Sequence, residues 1–344
     1  MNSIYGLSLD DLEQYLKSRN LKPFHAKQIF KWLYDKKIND FSEMTDISKK
    51  LIEELNRDFY IDRLKTVTCQ KSKDGTKKYL FELNDGCLIE SVLMVFDYGF
   101  SACLSSQVGC NMGCTFCASG LLKKQRNLEA SEIVLQVMEI QRELDKDGNR
   151  LGNIVLMGTG EPFDNYDNVM KALSIINSPY GIEIGARHIS VSTSGIVPMI
   201  KRFANEGFQY NLAISLHAPN NELRSRLMPV NNAYPLEDLF DALRIYSDNN
   251  NRRLTFEYLL LRDINDQKEH VLQIKQLLRG LNAYINLIPY NEVKENDYKT
   301  TSEENALRFY DLLKKNGVAV TLRTKKGDDI DAACGQLRAK NIKK

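Results

Sequence analysis

Nowhere does an apolar run approach the roughly 20 residues that a membrane-spanning helix needs. The opening MNSIYGLSLDDLEQY lacks the basic-then-apolar order of a secretion signal. Together these absences exclude a membrane-spanning reading and predict a cytoplasmic protein. Charge of one sign is missing too: 47 Lys and Arg against 45 Asp and Glu leave a net charge of +2, so composition neither demands nor forbids a nucleic-acid partner. No internal repeat, low-complexity tract or long Pro/Gly linker interrupts the chain, which excludes a solenoid or a string of tethered modules. What remains is a well-mixed sequence of 344 residues, 43% hydrophobic, long enough for one large core and a smaller accessory unit.

Cysteine is the informative residue. Seven is an odd count, and four of the seven cluster at 103, 110, 114 and 117. That suits metal ligation or redox chemistry in a reducing compartment better than a secreted disulfide framework. Basic residues crowd at Lys71, Lys73, Lys77 and Lys78, at Lys123, Lys124 and Arg126, and at Arg338, Lys340, Lys343 and Lys344. Each group reads either as a solvated face or as a set of phosphate contacts.

The first 85 residues carry helical periodicity in LSLDDLEQYLKSRN, HAKQIFKWLYDKK and FSEMTDISKKLIEELNRDF, behind Ser, Asp or Thr cap candidates. They predict a helical accessory domain over 1–85, with the remainder, 86–344, as the main domain. Strands KKYLFEL and CLIESVLMVF follow, joined by the hairpin signal Asn84-Asp85-Gly86. Beyond residue 100, short β-branched runs (SACLSSQ, NIVLMG, HISVSTS, NLAISLHA, LTFEYLLL, YINLIPY, VAVTLRT) alternate with helical patterns near 130–146, 165–177, 196–206, 235–249, 266–280 and 302–316. That alternation predicts an α/β fold of parallel βα units closed partly into a barrel, with chemistry at the C-terminal strand ends.

The strongest chemical signal lies there. Cys110-Asn-Met-Gly-Cys114-Thr-Phe-Cys117 follows the run SACLSSQ directly. Three thiolates on a four-iron cubane leave one iron open, whereas zinc wants a closed tetrahedral set and no fourth Cys or His lies at short spacing. The spacing resembles the radical S-adenosylmethionine (SAM) signature, which implies a [4Fe-4S] cluster whose open iron is chelated by SAM. Gly158-Thr159-Gly160-Glu161-Pro162 follows NIVLM; its glycines let backbone approach a ligand, and its carboxylate is placed to receive an ammonium group. Ser192, the run Ser215-Leu216-His217, and Asn291 fall at further strand ends on the same face and are candidate SAM contacts. His217 reads equally as a structural histidine.

At this point the chain resembles a known family. SSQVGCNMGCTFCASG, MGTGEPFDNYDNV, VSTSGIVPMI, LAISLHAPNNELRSRLMPVN and GDDIDAACGQL match the RlmN/Cfr type of radical SAM RNA methyltransferase in order and spacing, from about residue 85 to residue 338, and the helical start looks like that family's accessory, RNA-contacting domain. The resemblance implies that Cys334 carries the methyl group as S-methylcysteine, that Cys103 resolves the resulting RNA adduct through a disulfide with Cys334, and that Glu90 is the proton acceptor. Read without it, either cysteine is a small buried hydrophobe.

The implied reaction uses two SAM per turnover. One methylates Cys334; the second yields a 5′-deoxyadenosyl radical that activates the S-methyl group for addition to an adenine ring carbon, which is electrophilic and closed to direct methyl transfer. Implied partners are 23S rRNA, tRNA and a one-electron donor such as flavodoxin or ferredoxin, with the chain acting as a monomer. One branch of the family methylates adenine C2 in rRNA and tRNA, the other C8 in rRNA. Gly160-Glu161-Pro162 and the segment Gly327–Asp331 look like the C2 branch, while Thr159 and Phe163-Asp164 depart from the common form. Two rival readings stay open: a glycine-radical activase, which needs neither Cys103 nor Cys334, and a non-catalytic iron–sulfur or zinc RNA-binding module.

Overall fold

A computed structural model describes residues 1–293, 295–323, 326–332 and 336. Helix α1 (Leu9–Ser18) starts behind a reciprocal cap, in which Ser8 Oγ accepts from the Asp11 amide and the Asp11 carboxylate accepts from the Ser8 amide. Helix α2 (His25–Lys31) runs on through a wider π turn to Lys36, and Lys37 at φ 55° ends it. The expected third helix over FSEMTDISKKLIEELNRDF is broken: Asp40 caps one 3-10 turn at Phe41–Glu43, and α3 (Lys49–Asp58) begins afresh behind Ser48, whose Oγ accepts from the Leu51 amide. Two competing caps within one apolar-periodic stretch stop it from propagating as one helix.

The main sheet has ten strands, and their order in space follows their order in the chain. They are β1 (Lys65–Lys71), β2 (Lys77–Glu82), β3 (Leu88–Phe96), β4 (Gly99–Cys103), β5 (Leu151–Leu156), β6 (Ile189–Thr193), β7 (Asn211–Ser215), β8 (Leu254–Leu260), β9 (Ala283–Pro289) and β10 (Val320–Leu322). From β4 to β10 every pairing is parallel, the partial barrel expected; β1 to β4 pair antiparallel. The strands at 65–82, before residue 85, are thus hydrogen-bonded into the same sheet as those after it. The β2–β3 turn is the hairpin predicted, with Gly86 at φ 81°.

Helices α4 (Ala130–Asp145), α5 (Tyr166–Asn177), α6 (Val197–Asn205), α8 (Leu236–Asn249), α9 (Lys268–Leu277) and α10 (Glu303–Lys315) cover the barrel, and a short α7 (Asn221–Leu227) sits between β7 and α8. One apolar core runs from Ile4 and Leu12 through Val134 and Leu212 to Leu313, so the N-terminal helices share the barrel's core. No helix among the described residues is long and apolar enough to cross a membrane.

Strand alternation sorts residues onto two faces. Register pairs Leu80 with Glu90, Val92 with both Lys78 and Cys103, Cys103 with Val155, Ser192 with Ala213, Ser215 with Glu257, and Glu257 with Asn286. Lys78, Glu90, Cys103, Ser192, Ser215, Glu257 and Asn286 therefore share the face turned into the barrel.

Candidate active site

The cysteine loop is closed by its backbone. Gln107–Val108 pairs antiparallel with Arg126–Asn127, and the Cys110 amide donates to the Leu122 carbonyl. Gly109, at φ 76°, is obligatory: a Cβ there would stand 2.3 Å from the Lys123 carbonyl oxygen. From the other side the Thr115 amide donates to the Leu227 carbonyl at the end of α7, and the Tyr290 hydroxyl donates to the Phe116 carbonyl. Phe116, Leu223, Leu227, Met228, Leu259 and Ile288 form an apolar shell against which Cys114 and Cys117 pack.

Cys110, Cys114 and Cys117 line one cavity of about 140 Å³ together with Gly160, Glu161, Ser192, Ser194, Ser215, His217 and Glu257. Burial pushes the Cys110 thiol up to about 12, with Cys117 adding to it; burial also raises Cys114, reinforced by its two neighbours. Two buried thiols that resist ionisation alone, Cys110 and Cys114, need positive charge from what they bind, which is the demand a metal–sulfur group meets. Among the described residues no group of His, Cys, Asp or Glu side chains closes on a single ion. Three thiols without a fourth protein ligand among the described residues suit a cluster that each touches at a different iron. A polar ligand has matching partners beside them: the Ser194 hydroxyl, buried on this wall, has no hydrogen-bond partner among the described residues.

At the strand end after β5 the glycines meet neighbouring protein. Gly158 and Gly160 admit neighbouring backbone. A Cβ at 158 would lie 2.6 Å from the Leu104 carbonyl, and one at 160, where φ is 110°, would lie 2.7 Å from Gln107 Cβ. Thr159 stitches the same seam, its amide donating to Ser105 Oγ and its carbonyl accepting from the Ser106 and Gln107 amides. Glu161 is buried; its Oε1 accepts from the Phe163 amide and its Oε2 from the Ser194 amide at 2.7 Å, tying β5 to β6. Burial raises its pKa against those bonds. Carboxylate lone pairs remain for a ligand on the cavity side.

His217 both lines the cavity and holds the backbone around it. It is held at φ 53°, a region costly for a side-chain-bearing residue. Its Nδ1 accepts from the Leu259 amide and its carbonyl accepts from Asn265 Nδ2. Burial, with the Arg224 charge adding to it, pushes its pKa down to about 3. The ring is neutral, and with Nδ1 an acceptor the proton sits on Nε2, leaving a donor. Leu216 turns its side chain into the core, and Asn291 is buried just past β9; neither lines this cavity.

Glu90 and Cys103 lie away from the cavity on the same barrel face. Glu90 is buried, with Lys78 Nζ 3.5 Å from its Oε1, and Ser105 Oγ donates to its carbonyl. Lys78 also donates to the Asp331 carbonyl, the Gly327 amide to Asp74 and the Lys73 amide to Asp329. Residues 326–332 thus return to the β1–β2 turn, and Ala332 packs with Val92, Met94 and Cys103. Cys334 lies outside the described residues. No disulfide joins two described cysteines, and a Cys103–Cys334 bond would need the undescribed one.

The basic groups are less free than their clustering suggests. Lys77 pairs with Glu143, Lys78 with Glu90, Lys124 with Asp164, and Arg126 with Asp85 and Glu132; Lys71, Lys73 and Lys123 are exposed. Sequence reasoning missed Glu257, a buried cavity carboxylate whose Oε2 accepts from Asn286 Nδ2 and whose pKa burial raises. Alternation in LTFEYLLL, which sets a lone carboxylate on the inward face, was the available signal.

Known proteins agree with this arrangement. Residues 104–274 match the Radical SAM superfamily, and residues 2–61 match the ribosomal RNA large subunit methyltransferase N-terminal domain. A probable dual-specificity RNA methyltransferase RlmN of Streptococcus thermophilus (strain CNRZ 1066) is 54% identical over 99% of this chain and 89% of its own length. The protein of the same description from Geobacillus kaustophilus (strain HTA426) is 54% identical over 99% and 93%. The crystal structure of a radical SAM methyltransferase from Sphaerobacter thermophilus superposes with a TM-score of 0.92 at 42% identity, covering 98% of this chain and 99% of that one. Thiol spacing, strand-end cavity, helical start and near full-length relatives converge: the chain belongs to the RlmN family of radical SAM RNA methyltransferases.

Proposed function

We propose that this enzyme methylates C2 of an adenine in 23S rRNA and in tRNA, through a methyl group carried on Cys334, in the cytoplasm and on electrons from a flavodoxin- or ferredoxin-type donor. The observation that carries the reading is the juxtaposition on one barrel face of a thiol-lined cavity with Cys103, Glu90 and the returning 326–332 segment. Cys110, Cys114 and Cys117 would hold a [4Fe-4S] cluster, which when bound supplies the electron for reductive cleavage of SAM.

The chain's own residues do the rest. Gly160 and Glu161 shape the strand end at which the amino-acid part of SAM binds. Ser192, Ser215 and His217 Nε2, which line the cavity, serve the ribose and adenine end. Cys334 is the carrier, Cys103 attacks its sulfur to release the product and leaves a disulfide between the two, and Glu90, poised by Lys78, accepts the ring proton. Exposed Lys71 and Lys73, with the N-terminal helices, suit an RNA backbone whose target adenine is splayed out of its stack.

The test is anaerobic reaction of the reconstituted protein with SAM, dithionite and unmodified 23S rRNA fragments, read by nucleoside mass spectrometry. Formation of 2-methyladenosine is expected; 8-methyladenosine would move the chain to the other branch, and 5′-deoxyadenosine without methylated RNA would overturn the substrate.

A further inference from the structure

Arg224, on α7, is among the largest fully buried side chains in the molecule. Its Nη2 donates to the carbonyls of Ser194 (2.6 Å) and Ser215 (3.2 Å), its Nε to the carbonyl of Leu216 and its Nη1 to Asn231 Oδ1. Every one of these acceptors is neutral. The cavity's two buried carboxylates are engaged elsewhere, Glu161 by the Phe163 and Ser194 amides and Glu257 by Asn286. A guanidinium taken out of water without an anionic partner is costly and persists where something compensates its charge. What α7 is packed against is the cysteine loop: the Thr115 amide, one residue past Cys114, donates to the Leu227 carbonyl, and Leu223 and Leu227 pack with Cys114.

We infer that Arg224 is a positioning residue with two duties: its fork fixes the ends of β6 and β7 that present Ser192, Ser194 and Ser215, and its charge is the built-in counter-ion of the thiolate-bound cluster. Each electron added to a thiolate-ligated cluster deepens its negative charge, so a fixed cation behind Cys114 favours the reduced form and raises the midpoint potential. The choice of Arg over Lys follows from the four acceptors, which a planar guanidinium reaches at once and an ammonium does not. This inference rests on the cluster assignment above.

The measurement is an EPR-monitored redox titration of the full chain, anaerobically reconstituted and reduced with dithionite, as wild type, Arg224→Gln and Arg224→Lys. Arg224→Gln is expected to shift the reduction equilibrium about tenfold toward the oxidised cluster, about 59 mV for a one-electron couple. Arg224→Lys keeps the charge and is expected to stay within about threefold of wild type, while binding SAM more weakly because the strand ends lose part of their fork. A folded, cluster-loaded Arg224→Gln protein with an unmoved midpoint overturns the inference. Should Arg224→Gln not fold, the lysine variant decides: a tenfold fall there would show that charge is not what matters. A wild-type chain that takes up no cluster sinks the assignment underneath, before Arg224 is touched.

Discussion

Two regions on one barrel face are built in opposite ways. The thiol-lined cavity is made by loops that directly follow parallel strands and is fixed mainly by backbone: Gly109, Gly158 and Gly160 admit neighbouring chain, and Glu161 accepts two amides. The Glu90 region joins residues far apart in the chain, Lys78, Glu90, Cys103 and Asp331, and is fixed by side-chain charge and a small apolar cluster. The difference teaches why one half announces itself as contiguous motifs while the other appears only once strand register is known. It also separates rigid cofactor housing from a part that a returning segment completes.

The sharpest break between them comes from cysteine. Cys114→Ala should abolish both cluster absorbance and methylation, whereas Cys334→Ala should abolish methylation and leave the absorbance intact. Cys103→Ala should accumulate a covalent RNA adduct on Cys334, seen as a gel shift sensitive to nuclease. A Cys334→Ala protein that lost its cluster would show that the two regions are not separable.

Lys78→Met comes next. It strands a buried carboxylate and should cost about 3–5 kcal/mol in urea unfolding, with Lys78→Met/Glu90→Gln recovering most of that loss. No recovery in the double variant would mean that Lys78 matters through packing rather than charge.

For the backbone-built region, Gly160→Ala should destabilise by about 1–3 kcal/mol and weaken SAM binding, because φ 110° and the 2.7 Å approach to Gln107 Cβ both penalise the new methyl. Gly148→Ala, left-handed but with open space around it, should cost about 1 kcal/mol, the conformational part alone. Equal effects would remove the close-packing argument.

The smallest effect is a slope. His217 has a folded pKa of about 3 against an unfolded value near 6.5. The unfolded chain therefore binds a proton that the folded chain refuses throughout that window. Its contribution is complete above about pH 6.5 and is lost as pH falls toward 3, at about 1.4 kcal/mol per pH unit. In cluster-free protein, His217→Gln should flatten the stability profile between pH 6.5 and 5; an unchanged slope would assign the acid sensitivity elsewhere.

Much of the barrel was legible in the sequence. Helices α4, α5, α6, α8 and α10 begin and end within about a residue of the amphipathic runs, because those runs carry both the core-facing stripe and the caps. Helix α7 escaped because its seven residues offer only the pair Leu223 and Leu227, too short a stripe to read as a periodic run. The break before α3 escaped because a periodic stretch conceals a second cap. Within the site the thiols were readable from spacing alone, and the family resemblance pointed to Glu90 and Cys103. Glu257 was signalled only by the alternation of LTFEYLLL, while the pairing of Lys78 and the seam-closing task of Gly158 and Gly160 depend on which strand lies beside which, and single-chain periodicity does not encode that.

Because the ten strands are laid down in space in the order in which they occur in the chain, each new strand finds its partner already made, and the sheet can grow from one edge to the other as synthesis proceeds. Contacts of long sequence separation run against this order, and among them Gly327 and Asp331 must come back from beyond the last strand to Asp74 and Lys78 beside the first two. An enzyme assembled this way completes its thiol-lined cavity before it acquires the 326–332 segment, so a nascent or C-terminally clipped molecule would hold the cavity without the segment that comes back to Lys78 and packs beside Cys103.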